Sequence, residues 1–185
     1  MGENSWNGYE RNCLFANVGN GQFMDVARPT GADCIKDSRG VAVADFNGDG
    51  RLDLVINNNN ATPTLYLNNV AKSGNAVVIE LKAKRSNRDA IGARVRLTVV
   101  GKTMMRQVEA GSGYASEMML PVHFGLGAGA TIEAVEITWP SGLIQPFDKL
   151  ETAAWNNSKV TIEEGATRAS LIQPFKARTV TVSAK

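Results

Sequence analysis

The stretch that most constrains this chain is Asp45-Phe46-Asn47-Gly48-Asp49-Gly50-Arg51-Leu52-Asp53. It places three carboxylates and one amide oxygen at relative positions 1, 3, 5 and 9, with glycine at 4 and 6. Oxygen donors at alternate residues of a tight loop suit a hard cation that takes roughly six to eight oxygen ligands. The glycines let the backbone curl so that the donors converge. Carboxylates brought that close repel one another unless a cation lies between them. The pattern predicts bound Ca2+, held by side-chain oxygens of Asp45, Asn47, Asp49 and Asp53 and by the backbone carbonyl of Arg51. Mg2+ fits less well, because it prefers a small octahedral shell that keeps several waters. A metal-free Asp/Asn/Gly turn is the plain alternative, and the added Asp53 argues against it.

The surroundings of the loop exclude an EF-hand. The last acid stands at relative position 9, and no glutamate follows where an EF-hand places its bidentate ligand. Val41–Ala44 precede the loop, and Leu52, Leu54, Val55 and Ile56 follow it, as short apolar runs that read as strands. The unit is therefore strand, cation loop, strand, and the expected role of the ion is to pin that hairpin.

Turn signals are dense elsewhere, and long helical patterns are absent. Residues 11–26 read as a hairpin that reverses at Asn20-Gly21, a pair suited to positive φ. Residues 27–39 and Asn57–Pro63 read as loops, with a return strand over Thr64–Leu67. Four strands with short connections suit one propeller blade or a small meander, and a lone blade needs neighbours to cover its faces. From about residue 75 the pattern becomes alternation. Ile79, Leu81 and Ala83 oppose Glu80, Lys82 and Lys84, and Val95, Leu97 and Val99 oppose Arg94, Arg96 and Thr98. Further strands are expected at 103–110, 131–139 and 158–163, which together suggest a β-sandwich or barrel. Leu143-Ile144-Gln145-Pro146-Phe147 recurs as Leu171-Ile172-Gln173-Pro174-Phe175.

The fold class expected is all-β. It comprises a blade-like repeat with its calcium loop over 1–70, a sandwich- or barrel-like unit over 71–165, and a basic extension over 166–185. The net charge of +2 is unevenly spread, at −3, +1 and +4 over those three segments. No apolar run is long enough to span a bilayer. Met1–Trp6 shows no basic segment followed by an apolar core, so no signal peptide is visible, which is consistent with a fragment. Cys13 and Cys34 permit one disulfide in an oxidising compartment or remain two free thiols.

Three groups of residues carry a family resemblance. Leu14–Val26 followed by Ala44–Leu54 resembles an FG-GAP/VCBS-type repeat. Ser86–Val95, His123-Phe124-Gly125-Leu126-Gly127 and Val135–Gly142 resemble the ASPIC/UnbV domain in order and spacing. Together, over roughly 11–165, they resemble the C-terminal part of cartilage acidic protein relatives, many of them bacterial secreted proteins. The resemblance implies an extracellular β-propeller with calcium at its blade loops, followed by an all-β module with no established enzyme chemistry. The family usually carries several such repeats, and this chain holds about one, which points to missing blades or to direct packing of the one blade on the second unit.

Catalytic constellations are absent from the sequence. His123 is the only histidine, no triad or CxxC or HExxH pattern accompanies it, and its expected role is to anchor a loop. Gly125–Gly129 lacks the Lys-Ser/Thr of a phosphate loop and reads as a turn. Asp89 is expected to accept hydrogen bonds from its loop's amides. Lys82 to Arg106 contains eight Lys/Arg against one acid, Asp89. If 76–84 and 93–100 paired as a hairpin, Lys82, Lys84, Arg94 and Arg96 would share a face suited to an anionic polysaccharide or another acidic surface. A solvated face that discourages edge aggregation is the simpler reading. Nucleic acid is a poor fit, with few aromatics near that face. The sequence thus reads as a secreted, calcium-binding, non-catalytic interaction module with an extracellular protein or polysaccharide partner. The alternatives are a fragment of a larger propeller, or an accessory enzyme of an enediyne-like pathway, as the UnbV name suggests. Asp37 and Glu117 are its unpaired candidate acids.

Overall fold

The structure is a computed structural model that describes residues 10–70, 74–114, 116, 118 and 121–180. The start of the expected repeat, Glu117 and the end of the basic extension lie outside the described residues. What is described is all-β, with two single-turn helices.

The first unit opens with the hairpin β1 (Phe15–Gly19) and β2 (Gln22–Asp25). It reverses at Asn20 and Gly21, with φ of 51° and 72°. A single helical turn, α1 (Ala27–Thr30), ends on Gly31. Then β3 (Ser38–Ala44), β4 (Asp53–Asn58) and β5 (Ala61–Tyr66) form one antiparallel sheet. Its strands are thus divided into a pair and a triplet, not a single four-stranded sheet. The expected loop at Asn57–Pro63 contracts to a reversal at Asn59-Asn60, with φ of 50° at Asn60. Pro63 lies inside β5, which tolerates a missing amide because it is an edge strand.

The second unit is a two-sheet sandwich and not a closed barrel. Its strands are β6 (Asn75–Lys82), β7 (Arg94–Val99), β8 (Lys102–Gln107), β9 (Val122–Gly127), β10 (Ile132–Thr138), β11 (Ile144–Phe147), β12 (Ser158–Glu163) and β13 (Leu171–Pro174). A helical turn, α2 (Lys149–Thr152), separates β11 from β12. One sheet runs β11-β10-β7-β8 and the other β13-β12-β6-β9, with β6 and β12 parallel and the remaining pairs antiparallel. Alternation supplies the core. Val95, Leu97, Ile132, Val135 and Ile137 from one sheet meet Val77, Ile79, Phe124, Val160 and Ile162 from the other. Trp155 stacks at a tilt on Phe147, 5.2 Å between centroids. Trp139 donates its indole N–H to Gln145 Oε1 at 2.8 Å, so its buried polar atom is satisfied.

Two expectations fail here. The strands at 76–84 and 93–100 do not pair, because β6 and β7 belong to opposite sheets. Each turns its apolar residues toward the shared core from opposite sides, so residues 83–93 cross between layers instead of forming a hairpin. The glycine-rich segment 125–129 is also not wholly a turn, since Gly125–Gly127 complete β9. The repeated pentapeptide supplies one edge strand of each sheet, as β11 and as β13. In the first copy Gln145 and Phe147 are buried, whereas all four residues of β13 are exposed.

Candidate metal centre

The acid loop is the connection between β3 and β4, whose ladder ends at the pair Ala44 and Asp53. Gly48 and Gly50, at φ 77° and 86°, make the reversals that a side chain would strain. The loop's own amides converge on its first acid. Asp45 accepts from Gly48 and Asp49 N–H at 2.7 and 3.1 Å on one oxygen, and from Gly50 N–H at 2.8 Å on the other. Asn47 Oδ1 accepts from Asp49 N–H, and its amide donates to Asp49 Oδ2 at 2.8 Å. Asp49 accepts from Arg51 N–H at 2.8 Å and pairs with the Arg51 guanidinium.

Asp53 is fully buried and works at the other end of the loop. It accepts from Phe46 N–H at 3.0 Å and from Asn68 N–H at 2.8 Å, so one carboxylate joins the loop's start to the segment after β5. Arg51 reaches the same segment, donating to the Asn68 carbonyl. Asp45, Asn47 and Asp49 are thus linked to one another by the loop's turns, while Asp53 ties Phe46 of the same loop to the segment after β5. Among the described residues, no three His, Cys, Asp or Glu side chains are grouped as a metal cage on their own. The donor set nonetheless fits a hard divalent cation in its chemistry. Three carboxylates against one guanidinium leave two uncompensated negative charges within nine residues. Carboxylates holding amide hydrogen bonds still have free lone pairs for an ion.

The loop is seated on the sandwich. Across the second sheet, Gln173, Lys159, Val78 and His123 stand in one register row on one face. That face meets Asp45–Gly48 across a groove of about 470 Å³. This explains why Val78 is buried on the side of β6 that faces away from the core. His123 Nε2 lies 2.8 Å from the Gly50 carbonyl. A carbonyl only accepts, so Nε2 carries the proton and His123 anchors the loop.

Other predicted site residues are placed apart. Lys82 and Lys84 extend from β6, while Arg94 and Arg96 lie on β7 in the other sheet, so the four share no face. Lys84 pairs with Glu163 at 2.9 Å and Arg96 with Glu136 at 3.4 Å. Asp37 is not an unpaired acid, because Arg39 and the Asn59 amide both bind it. Asp89 pairs with its neighbour Arg88, and it is Asn87 that accepts the Ile91 amide at 2.7 Å. Cys13 and Cys34 are free thiols. The Asp25 charge beside the exposed Cys13 pushes its thiol pKa up, which disfavours the reactive thiolate.

One organising residue was missed. The buried Glu164 accepts the amides of Lys84, Arg85 and Ser86 at 2.6–3.0 Å and the hydroxyls of Ser86 and Ser141. Burial alone would raise its carboxyl, but the Ser141 hydroxyl and the three amides outweigh that and hold it down at about 2. Alternation contains the signal, since Val160 and Ile162 point inward and Glu164 is next in that series.

Comparison with known proteins places both units. Residues 83–169 match the model of the ASPIC and UnbV family. Residues 5–56 match an FG-GAP-like repeat and residues 39–79 an FG-GAP repeat. Cartilage acidic protein 1 of Xenopus tropicalis is 49% identical over 57 residues, which is 30% of this chain and 9% of the relative. The Mus musculus and Homo sapiens proteins of that name are 37% and 36% identical over 107 residues, 56% of this chain and 16% of each relative. The chain therefore spans only a small part of the curated relatives it matches, and within that part it carries FG-GAP repeat sequence followed by an ASPIC and UnbV domain.

Proposed function

We propose that the chain is a secreted, calcium-stabilised, non-catalytic module that presents its surface to an extracellular protein. The observation that carries this reading is the acid loop, with its excess of two negative charges and its glycine-made turns. Ca2+ would be held by Asp45, Asn47, Asp49 and Asp53 side chains and the Arg51 carbonyl. When bound, it would replace carboxylate repulsion by attraction and fix the β3–β4 connection. The secreted, matrix-type setting is carried over from the cartilage acidic protein relatives. An accessory enzyme would need a gathered nucleophile, base and acid, and Asp37, its one described candidate acid, is taken up by Arg39.

Calorimetric titration with Ca2+ and with Mg2+ tests the loop. The guanidinium of Arg51 competes with a cation for Asp49. Arg51→Ala keeps the backbone carbonyl and releases that carboxylate, so it is expected to tighten calcium binding, whereas Asp49→Ala abolishes it. Absence of calcium heat in both the parent protein and Arg51→Ala would contradict the proposal.

A further inference from the structure

The segment that follows the matched ASPIC and UnbV residues is spent on the acid loop. The family match ends at residue 169, and β13 begins at Leu171. β13 adds to the β12 edge with every residue exposed, so it gains little burial of its own. Beyond it the chain turns onto the loop. Lys176 N–H donates to the Gly48 carbonyl at 2.9 Å, and Arg178 N–H donates to the Asn47 carbonyl at 2.7 Å. Phe175 N–H donates to Asn157, and its ring lies against Gly50 so closely that a Cβ there would fall 2.3 Å from it. With His123 on the Gly50 carbonyl, three carbonyls of the loop are taken by groups from the second unit. The twin pentapeptide emphasises the difference: Phe147 fills the core, while Phe175 covers a glycine of the loop.

We propose that residues 171–178 are a clasp that ties the 45–53 loop to the outer face of the second sheet and holds the loop in its converged conformation. Cation binding fixes the same loop from within, so ion and clasp stabilise each other, and linkage makes that effect reciprocal. The linkage rests on the calcium reading; the clasp itself does not. Lys176 and Arg178 also bring positive charge near the loop, which opposes the linkage. Both side chains are exposed and screened at physiological salt, so the backbone bonds dominate.

Hydrogen–deuterium exchange on the full chain, in chelator and in Ca2+, separates these claims. The variants are Phe175→Ala and Lys176→Pro, the second removing the amide that donates to the Gly48 carbonyl together with the Lys176 charge and the freedom of φ there. In chelator both variants should exchange several-fold faster at residues 45–53, with β7 and β10 unchanged as the check on folding. In Ca2+ the parent protein should slow at 171–178, and each variant should bind calcium about fivefold more weakly. Unchanged exchange at 45–53 in both variants in chelator overturns the clasp. A clasp effect in chelator with no calcium effect on 45–53 in the parent overturns the calcium reading and the linkage, and supports the clasp alone. Tighter calcium binding in the variants would overturn the linkage in favour of charge competition.

Discussion

Among the described residues between Val77 and Ile162 the chain gathers twenty buried apolar side chains into one cluster, whereas the apolar side chains buried over residues 10–70 are Ala27 and Ala32. What the first unit buries instead is polar: Asn47, Asp53 and Asn58. Of its large apolar groups, Phe15, Phe23 and Met24 are exposed, while Leu54, Val55, Ile56 and Leu65 are half-buried. The two units therefore draw cohesion from different sources. A sandwich core is non-directional and tolerant of solution conditions, while a network of carboxylates and amides depends on geometry and on charge. A unit of the second kind gains most from a bound ion and from a neighbouring surface, and the acid loop has access to both.

The comparison can be broken from either side. The largest effect is expected in the sandwich, where Ile137→Ala leaves a cavity in a fully buried site and should cost about 2–5 kcal/mol. That cost should be the same in calcium and in chelator by urea unfolding. Next is Glu164→Ala, which orphans three amides in one step and should cost about 3 kcal/mol. The same residue sets a pH dependence. Its folded carboxyl lies at about 2, below its ordinary value of 4.5, so its contribution is full above 4.5 and is lost as pH falls from there toward 2. Acid titration of parent and Glu164→Gln should converge over that window.

In the first unit, Asp53→Ala orphans the Phe46 and Asn68 amides and should cost about 2 kcal/mol, confined to residues 38–68 in exchange experiments. The smallest effect belongs to the surface. Arg96→Ala removes an exposed pair with Glu136 and should change stability by less than about 0.5 kcal/mol.

How much of this was legible depended on the range of the interaction. The acid loop and its flanking strands are local, so spacing and glycine placement were enough. The inward rows at Ile79, Leu81, Val95 and Leu97 were equally plain, because period-two alternation reports which face is buried. Alternation does not report which strand is the neighbour. Hence β6 and β7 read as a hairpin although they lie in opposite sheets, and with that pairing went the shared face of Lys82, Lys84, Arg94 and Arg96. The parallel partnership of β6 with β12 spans about half the chain and leaves no local mark. Glu164 was passed over because a glutamate beside Glu163 at a strand end usually faces water. Its burial follows from the amides of residues 84–86, which only the folded crossing brings to it.

The difference between the units is tested most directly by scanning calorimetry of the parent protein in Ca2+, in Mg2+ and in excess chelator, beside Asp49→Ala. The expected result is a transition of the first unit that calcium raises by several degrees, that magnesium and Asp49→Ala do not, and a sandwich transition that moves far less. A single melt at one temperature in calcium and in chelator would contradict the account.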